Sequence, residues 1–308
     1  MAASCPILVI LGPTASGKTD AALAAAAAIK GEILSVDSMQ VYRGMDVGTA
    51  KPSPDERRGI PHHLIDVVAP TEAFTVARFV ESADAVIADA ASRGVPLVAT
   101  GGTPLYYKAL FEGLFEGPGA DEAVRARLRA LPDEELARRL SEVDPAASAR
   151  IHPNDHKRLV RALEVFELTG RPISSFQTAW AEQAWRHRAA WVGLDWDREA
   201  LNRRINARVK AMIAAGWVDE VRQLLLTYGQ LSQTAAEATG YRELIDHVAG
   251  KTTLDGAFER IKIATRQLAR RQMKWFRRFR EVKWIKGDRP AEVITAEAVA
   301  LWRQAGGV

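Results

Sequence analysis

The 308-residue sequence predicts an α/β fold, a parallel sheet with flanking helices, joined to a helical insertion domain. Three observations carry that reading. Short apolar runs alternate with helix-forming stretches through the first hundred residues. A glycine-rich loop stands between the first apolar run and the first helix. Beyond about Glu112 the texture changes to a stretch dense in Arg, Glu, Ala and Leu.

Taken in order, Ile7–Leu11 is an apolar run closed by Gly12-Pro13, as expected of a buried strand entering a loop. Lys18–Ala28 is alanine-rich and strongly helix-forming. Ile33–Val36 reads as a second strand ending on Asp37, and His63–Val68 as a third. Val76–Arg93 has amphipathic helical spacing, and Pro96–Thr100 is a fourth strand running into Gly101-Gly102. Glu122–Leu168 is mostly helical. Ala190–Leu194 returns to strand character, before long helices at about Arg198–Ala215 and Asp255–Arg280. Residues 1–112 are thus the first part of the core, 113–189 the helical insertion, and 190–308 the second part of the core with basic C-terminal helices. Strand and helix alternation of this kind calls for a parallel sheet, whose ligands bind beyond the carboxyl ends of the strands.

Composition excludes several classes of function. With 47% hydrophobic and 26% charged residues, the chain is globular and not disordered. Its one cysteine, Cys5, leaves no disulfide framework and no cysteine-based zinc module. The first apolar run is far shorter than the ~20 residues that span a bilayer, and no basic residue precedes it. A soluble, cytoplasmic protein without membrane attachment is expected. Charge is distributed unevenly: residues 1–110 carry net −2, residues 111–200 net −3, and residues 201–308 net +9. Arg260–Lys286 holds 11 basic residues and a single acid, Glu281. In the helix predicted there, Leu268, Trp275 and Phe279 have the spacing of a core face. Arg266, Arg270, Lys274 and Arg277 would form a separate exposed stripe. Such a concentrated field attracts nucleic acid through its phosphates.

Gly12-Pro13-Thr14-Ala15-Ser16-Gly17-Lys18-Thr19 matches G-x-x-x-x-G-K-[ST], the phosphate-loop (P-loop) pattern, at every fixed position. The glycines permit a tight backbone whose N–H groups converge on an anion, and the following helix adds its N-terminal partial charge. Lys18 supplies a point charge, and Thr19 a hydroxyl for phosphate or Mg²⁺. The loop specifies a di- or triphosphate but neither ATP nor phosphoryl transfer. Asp37, at the carboxyl edge of the second strand, suits either a Mg²⁺ ligand or a general base. Spacing leaves both open, and Asp66 competes equally for the metal role. His62 and His63 lack further ligands at metal-binding spacing and read as structural.

The passage Asp37-Ser38-Met39-Gln40-Val41-Tyr42-Arg43-Gly44-Met45-Asp46-Val47-Gly48-Thr49-Ala50-Lys51-Pro52, together with the Gly12–Thr19 loop, resembles the tRNA dimethylallyltransferase (tRNA isopentenyltransferase) family. Further matching blocks are Gly101-Gly102-Thr103, Ile151-His152-Pro153-Asn154-Asp155, Arg158–Glu164, Gly240-Tyr241-Arg242 and Arg270–Arg277. The resemblance is to the short bacterial type, since the single cysteine leaves no zinc finger of the kind some eukaryotic members carry. It implies transfer of a dimethylallyl group from dimethylallyl diphosphate to N6 of the adenosine just 3′ of the anticodon, with Mg²⁺ as cofactor. The P-loop residues Gly12, Pro13, Thr14, Ala15, Ser16, Gly17, Lys18 and Thr19 would then bind the diphosphate of the prenyl donor, with Thr19 as a Mg²⁺ ligand.

The same resemblance makes Asp37 the base that accepts the amine proton and places Arg208 on the diphosphate. It sets Asp37, Ser38, Met39 and Gln40 against the flipped adenosine, with Thr103 beside them. Contact with the anticodon stem-loop of tRNA falls to Arg125 and to Lys157, Arg158, Leu159, Val160 and Arg161 in the insertion. It falls also to Glu237, Ala238, Thr239, Gly240, Tyr241 and Arg242, and to Arg270, Arg271, Gln272, Met273, Lys274, Trp275, Phe276 and Arg277. A monomer is expected. A P-loop small-molecule or nucleotide kinase would leave the basic helix without a task. An adenylate isopentenyltransferase acting on AMP would not need the helical insertion. An RNA-binding P-loop switch would leave the Asp37–Pro52 match unexplained.

Overall fold

Ile7–Leu11 forms β1, with all five side chains buried, as expected of a strand covered on both faces. β4, Leu97–Gly101, pairs with it on one side and β5, Ala189–Asp195, on the other. With β2 (Glu32–Ser35), β3 (His62–His63) and β6 (Lys283–Lys286), they form one sheet in the order β3-β2-β4-β1-β5-β6, every pair parallel. The chain leaves β1 for β2 and β3, returns to place β4 beside β1, and continues on the far side through β5 and β6. That reversal opens a crevice at the carboxyl ends of the central strands. The Gly12–Thr19 loop, Asp37 and Gly102 all emerge there.

The computed structural model describes residues 5–114, 117–176 and 185–308, and the chain divides into two compact units. The first is Met1–Leu110 with His187–Val308, and the second is Phe111–Arg186. In the first, helices Lys18–Ile29 and Ala291–Gln304 cover one face of the sheet. Leu8, Ile10, Ala190 and Val192 point into that layer, with Ala25, Ala298 and Trp302 opposite them. Successive strand residues alternate faces. Trp191 therefore points the other way, stacked on Phe279 at 5.4 Å between ring centroids and tilted against Tyr107 at 6.0 Å. Among the described residues, no helix is long and apolar enough to cross a membrane.

Two expectations need correction. The predicted third strand, His63–Val68, is cut to His62–His63, because Leu64 and Asp66 adopt left-handed φ of 63° and 58°. The extended run ends there, and Val68 rejoins only as an isolated bridge to Tyr42. The last long helix runs Leu254–Phe276, short of Arg280, and the chain then forms β6, whose Ile285 is buried between exposed lysines. The buried face of that helix is Ile261, Ala269, Gln272 and Phe276, with Leu268 and Trp275 only half-buried. Arg270, Lys274 and Arg277 are exposed and Arg266 is half-buried.

The second unit packs helices Glu122–Arg129, Asp133–Val143, Pro145–Ser148 and His156–Thr169 around Leu128, Leu136, Leu140, Leu159 and Leu163. At its centre Glu164 is fully buried. Its carboxylate accepts Arg125 Nε at 2.9 Å, Arg161 Nη1 at 2.6 Å and the Asp121 N–H at 2.8 Å. Burial alone would raise this carboxyl, but the hydrogen bonds from Arg161, Asp121 N–H and Arg125 hold it below the ordinary range. A carboxyl lowered in the folded state adds stability above its unfolded pKa and loses it as pH falls through the folded value. Glu164→Gln is therefore expected to destabilise the insertion by about 3–5 kcal/mol at neutral pH, the range for breaking a buried ion pair. In urea unfolding the gap to wild type should narrow steadily on acidification; a gap independent of pH would contradict this account.

Candidate active site

The P-loop departs from β1 with Ala15 at φ 63° and Gly17 at φ 85°, both left-handed, and Lys18 then opens the first helix. Alternation of this kind turns successive N–H groups toward one concavity. That concavity is a cavity of about 590 Å³ walled by Ser16, Gly17, Lys18, Thr19, Arg204 and Arg208, among others. Burial lowers the Lys18 ammonium to about 8, Arg208 lowers it further by repulsion, and Asp37 opposes the shift. Burial likewise lowers Arg208, and the Asp20 and Asp37 charges pull against it. Lys18, Arg208 and Asp37 thus form one electrostatic group, although Asp37 is not in the cavity wall.

Three side chains from distant segments hold the loop. Gln272, only 6% exposed, accepts the Thr14 N–H at 2.8 Å and donates from Nε2 to Gly102 C=O at 2.7 Å. Arg204 donates from Nε to Ala15 C=O at 2.8 Å, and Trp196 from Nε1 to Ser16 C=O at 3.0 Å. None of these three contacts was read from the sequence. Gln272 stands inside a run that looks like a nucleic-acid contact, and its role is instead to join two loops of the site. Arg204 had a signal: it lies one turn before Arg208 on the same helix.

Asp37 sits just past β2. Its Oδ1 accepts the Met39 N–H at 2.9 Å and the Gln40 N–H at 3.4 Å, and its Oδ2 accepts the Gly102 N–H at 3.3 Å. Thr103 Oγ1 accepts the Ser38 N–H at 2.9 Å and lies 3.1 Å from Ser38 Oγ. The structure therefore brings Asp37, Ser38 and Thr103 to one edge, beside the P-loop. Gln40 is bound inward: it accepts from Ser35 Oγ at 3.0 Å, and its Nε2 faces the carbonyls of Thr49 and Ala50. Lys51, which the sequence reading passed over, is buried with Nζ on Tyr42 C=O, Asp46 and Asp66. Asp66 also pairs with Arg57 at 3.5 Å. Its carboxylate is committed to these two cations, so it does not compete with Asp37 for a place in the site.

The remaining predicted residues divide by burial. Leu159 and Val160 lie in the core of the second unit, and Ala238, Tyr241 and Phe276 in that of the first. Their side chains hold the fold, and only the backbone and neighbours of these segments face outward. Tyr241 donates to Glu220 Oε1 at 2.6 Å, and Glu220 Oε2 accepts the N–H groups of Asp46 and Val47. Arg125 and Arg161 are engaged by Glu164. Lys157, Arg158, Glu237, Arg242, Arg270, Arg271, Lys274 and Arg277 are exposed, and Met273, Trp275 and Thr239 half-buried. His63 pairs with Glu32 at 2.7 Å and His62 Nδ1 with Ile60 C=O at 2.8 Å, on the edge strand β3, three strands from β1.

Comparison with known proteins places this geometry. Residues 40–279 match the family described as IPP transferase, and residues 5–67 match isopentenyl transferase. A protein from Geobacter metallireducens named tRNA dimethylallyltransferase is 50% identical over 284 residues, 91% of this chain and 92% of its own. The crystal structure of full-length tRNA isopentenylpyrophosphate transferase from Bacillus halodurans superposes with a TM-score of 0.73 and 36% identity, covering 98% of both chains. A eukaryotic dimethylallyltransferase captured acting on tRNA gives a TM-score of 0.78 at 27% identity, over 92% of this chain and 74% of that one. With the family model spanning most of its length and a relative half identical to it over nine-tenths of both chains, the chain belongs to the tRNA dimethylallyltransferase, or IPP transferase, family.

Proposed function

We propose that this chain transfers a dimethylallyl group from dimethylallyl diphosphate to N6 of the adenosine immediately 3′ of the anticodon in tRNA, releasing diphosphate. The observation that carries the proposal is Asp37. Its carboxylate is aimed by three backbone N–H groups and stands beside Lys18 and Arg208, at the same strand ends as an anion-binding loop. A base set next to a leaving-group cradle is what alkylation of a weak amine requires.

In this reading the diphosphate occupies the P-loop, where the backbone amides, Lys18 and Arg208 oppose the negative charge that grows as the C1–O bond breaks. N6 of adenine attacks C1, and its proton passes to Asp37 as the N–C bond forms. Side-chain oxygens at the cavity, the hydroxyls of Ser16 and Thr19 and the carboxylates of Asp20 and Glu56, are donors that fit a hard divalent cation. Thr19 would hold Mg²⁺ there, and the bound ion would supply further charge neutralisation to the diphosphate. The exposed face of helix Leu254–Phe276, with Arg270, Lys274 and Arg277, would contact tRNA phosphates.

Asp37→Ala is expected to lower label transfer from radiolabelled dimethylallyl diphosphate to unmodified tRNA by about 10²–10⁴-fold, the span for losing a general base, with tRNA binding kept. AMP in place of tRNA should remain unlabelled; label in AMP alone would select free nucleotide as the acceptor. Lys18 is charged below about 8 and neutral above it. The donor's KM should therefore climb as pH passes upward through that value, and a flat profile to pH 9.5 would remove Lys18 from donor binding. Neutralising Arg270 and Arg277 together should weaken tRNA binding and flatten its salt dependence by about 2 in log–log slope. An unchanged slope would put the tRNA elsewhere.

A further inference from the structure

Two side chains outside the glycine-rich loop touch its backbone at consecutive carbonyls, and they touch each other. Arg204 Nε donates to Ala15 C=O at 2.8 Å, and Trp196 Nε1 donates to Ser16 C=O at 3.0 Å. The Arg204 guanidinium lies 4.5 Å above the indole centroid, a cation–π stack. Trp196 in turn lies flat against the backbone past β6. A Cβ built on Gly287 would fall 1.9 Å from its Nε1, so only glycine admits the ring there. The Gly287 N–H donates to Asp195 C=O at 2.7 Å, which ties the strip beneath the ring to the residue before it.

A trans peptide plane points its C=O and N–H in opposite directions. Holding the Ala15 and Ser16 carbonyls on the outer side therefore turns the Ser16 N–H inward, where it closes a turn onto Pro13 C=O at 3.2 Å, and aims the Gly17 N–H at the inner side of the loop. Ala15 is the non-glycine residue of this loop with left-handed φ, at 63°, a conformation that costs about 1 kcal/mol for an L-residue. An external hydrogen bond on its own carbonyl is a direct means of keeping it there. The wild-type loop is thus pre-set for an anion before one arrives.

We infer that Trp196 and Arg204 are positioning residues for the prenyl donor: as a stacked pair they hold two P-loop carbonyls outward, which fixes the Pro13–Ser16 turn and presents the Gly17 N–H to the diphosphate. The inference rests on the donor-binding role proposed for the P-loop and adds two residues that act on the donor through the backbone. Trp196 follows the last residue of β5 and Arg204 lies in the first two turns of the next helix, so a short, rigid stretch of chain delivers both.

The test uses the full chain and two conservative variants. Trp196→Phe keeps an aromatic ring under Arg204 and removes the indole N–H together with part of the ring system. Arg204→Lys keeps the charge and removes the planar Nε–H and the stack. Inorganic diphosphate binding is measured by titration calorimetry, and donor KM and kcat by label transfer at saturating tRNA. In each variant the diphosphate Kd and the donor KM should rise about 3- to 10-fold, as expected for one lost hydrogen bond. Within about twofold, kcat at saturating donor and the KM for tRNA should stay at their wild-type values. Wild-type diphosphate affinity and donor KM in both variants would overturn the assignment. So would a lowered melting temperature with affinity kept, which would make the pair a prop of the fold, or a loss confined to kcat. If the unaltered chain neither binds diphosphate nor transfers the prenyl group, the donor-site reading fails first and this inference falls with it.

Discussion

The side-chain amide of Gln272 accepts from Thr14 N–H and donates to Gly102 C=O, joining residues 258 and 170 positions away along the chain. An amide buried to 6% exposure cannot exchange these partners for water, and leaving either one unpaired costs about 1–3 kcal/mol. The P-loop and the turn after β4 are therefore locked at one separation. The turn passes that constraint on, because the Gly102 N–H reaches Asp37 Oδ2 at 3.3 Å. A Cβ at position 102 would fall 2.6 Å from Gln272 Nε2, so the glycine is required by the clamp itself. The distance between the phosphate cradle and the proposed base follows from this one bridge.

Local chemistry made most of the framework legible. The apolar runs Ile7–Leu11 and Ala190–Leu194, and the Gly12–Thr19 loop between strand and helix, lie where the sequence pattern places them. What stayed hidden depends on partners brought in from far along the chain. Leu64–Val68 reads as a strand from its apolar content, yet Asp66 turns left-handed and pairs with the buried Lys51. Lys283–Lys286 is too short and too charged to announce itself as β6, and pairing with β5 is what makes it a strand. Gln272 sits within Arg270–Arg277, where four of eight residues are basic, and nothing local distinguishes an amide facing the core from one facing RNA.

Arginine shows the same limit from the side of function. Arg125 and Arg161 spend their donors on the buried Glu164, Arg204 lies on Trp196 and a loop carbonyl, and Arg270 and Arg277 stand exposed. A guanidinium has five donors in a fixed fork, which serves a carboxylate, a carbonyl or a phosphate equally well. The partner decides, and the partner is a matter of fold. Resemblance to a family can point to the correct segment, but burial then sorts the segment. Tyr241 and Phe276 support it from within, while Arg242 and Arg277 form its surface.

The P-loop cavity gathers cations that repel one another. Arg208 and burial both disfavour the charged form of Lys18, and Arg204 and burial disfavour that of Arg208. A fold holds such a group together only if rigid elements fix it, and here all three side chains hang from the first helix and the helix after β5. A diphosphate entering the loop would relieve that repulsion, and the donors are already aimed when it arrives. Catalysis by charge stabilisation gains most from dipoles that need no reorganisation as the bond breaks. The clamp of Gln272 and the stacked pair on the outer side of the loop keep the backbone in that prepared form, so much of the work of the reaction is done when the chain folds.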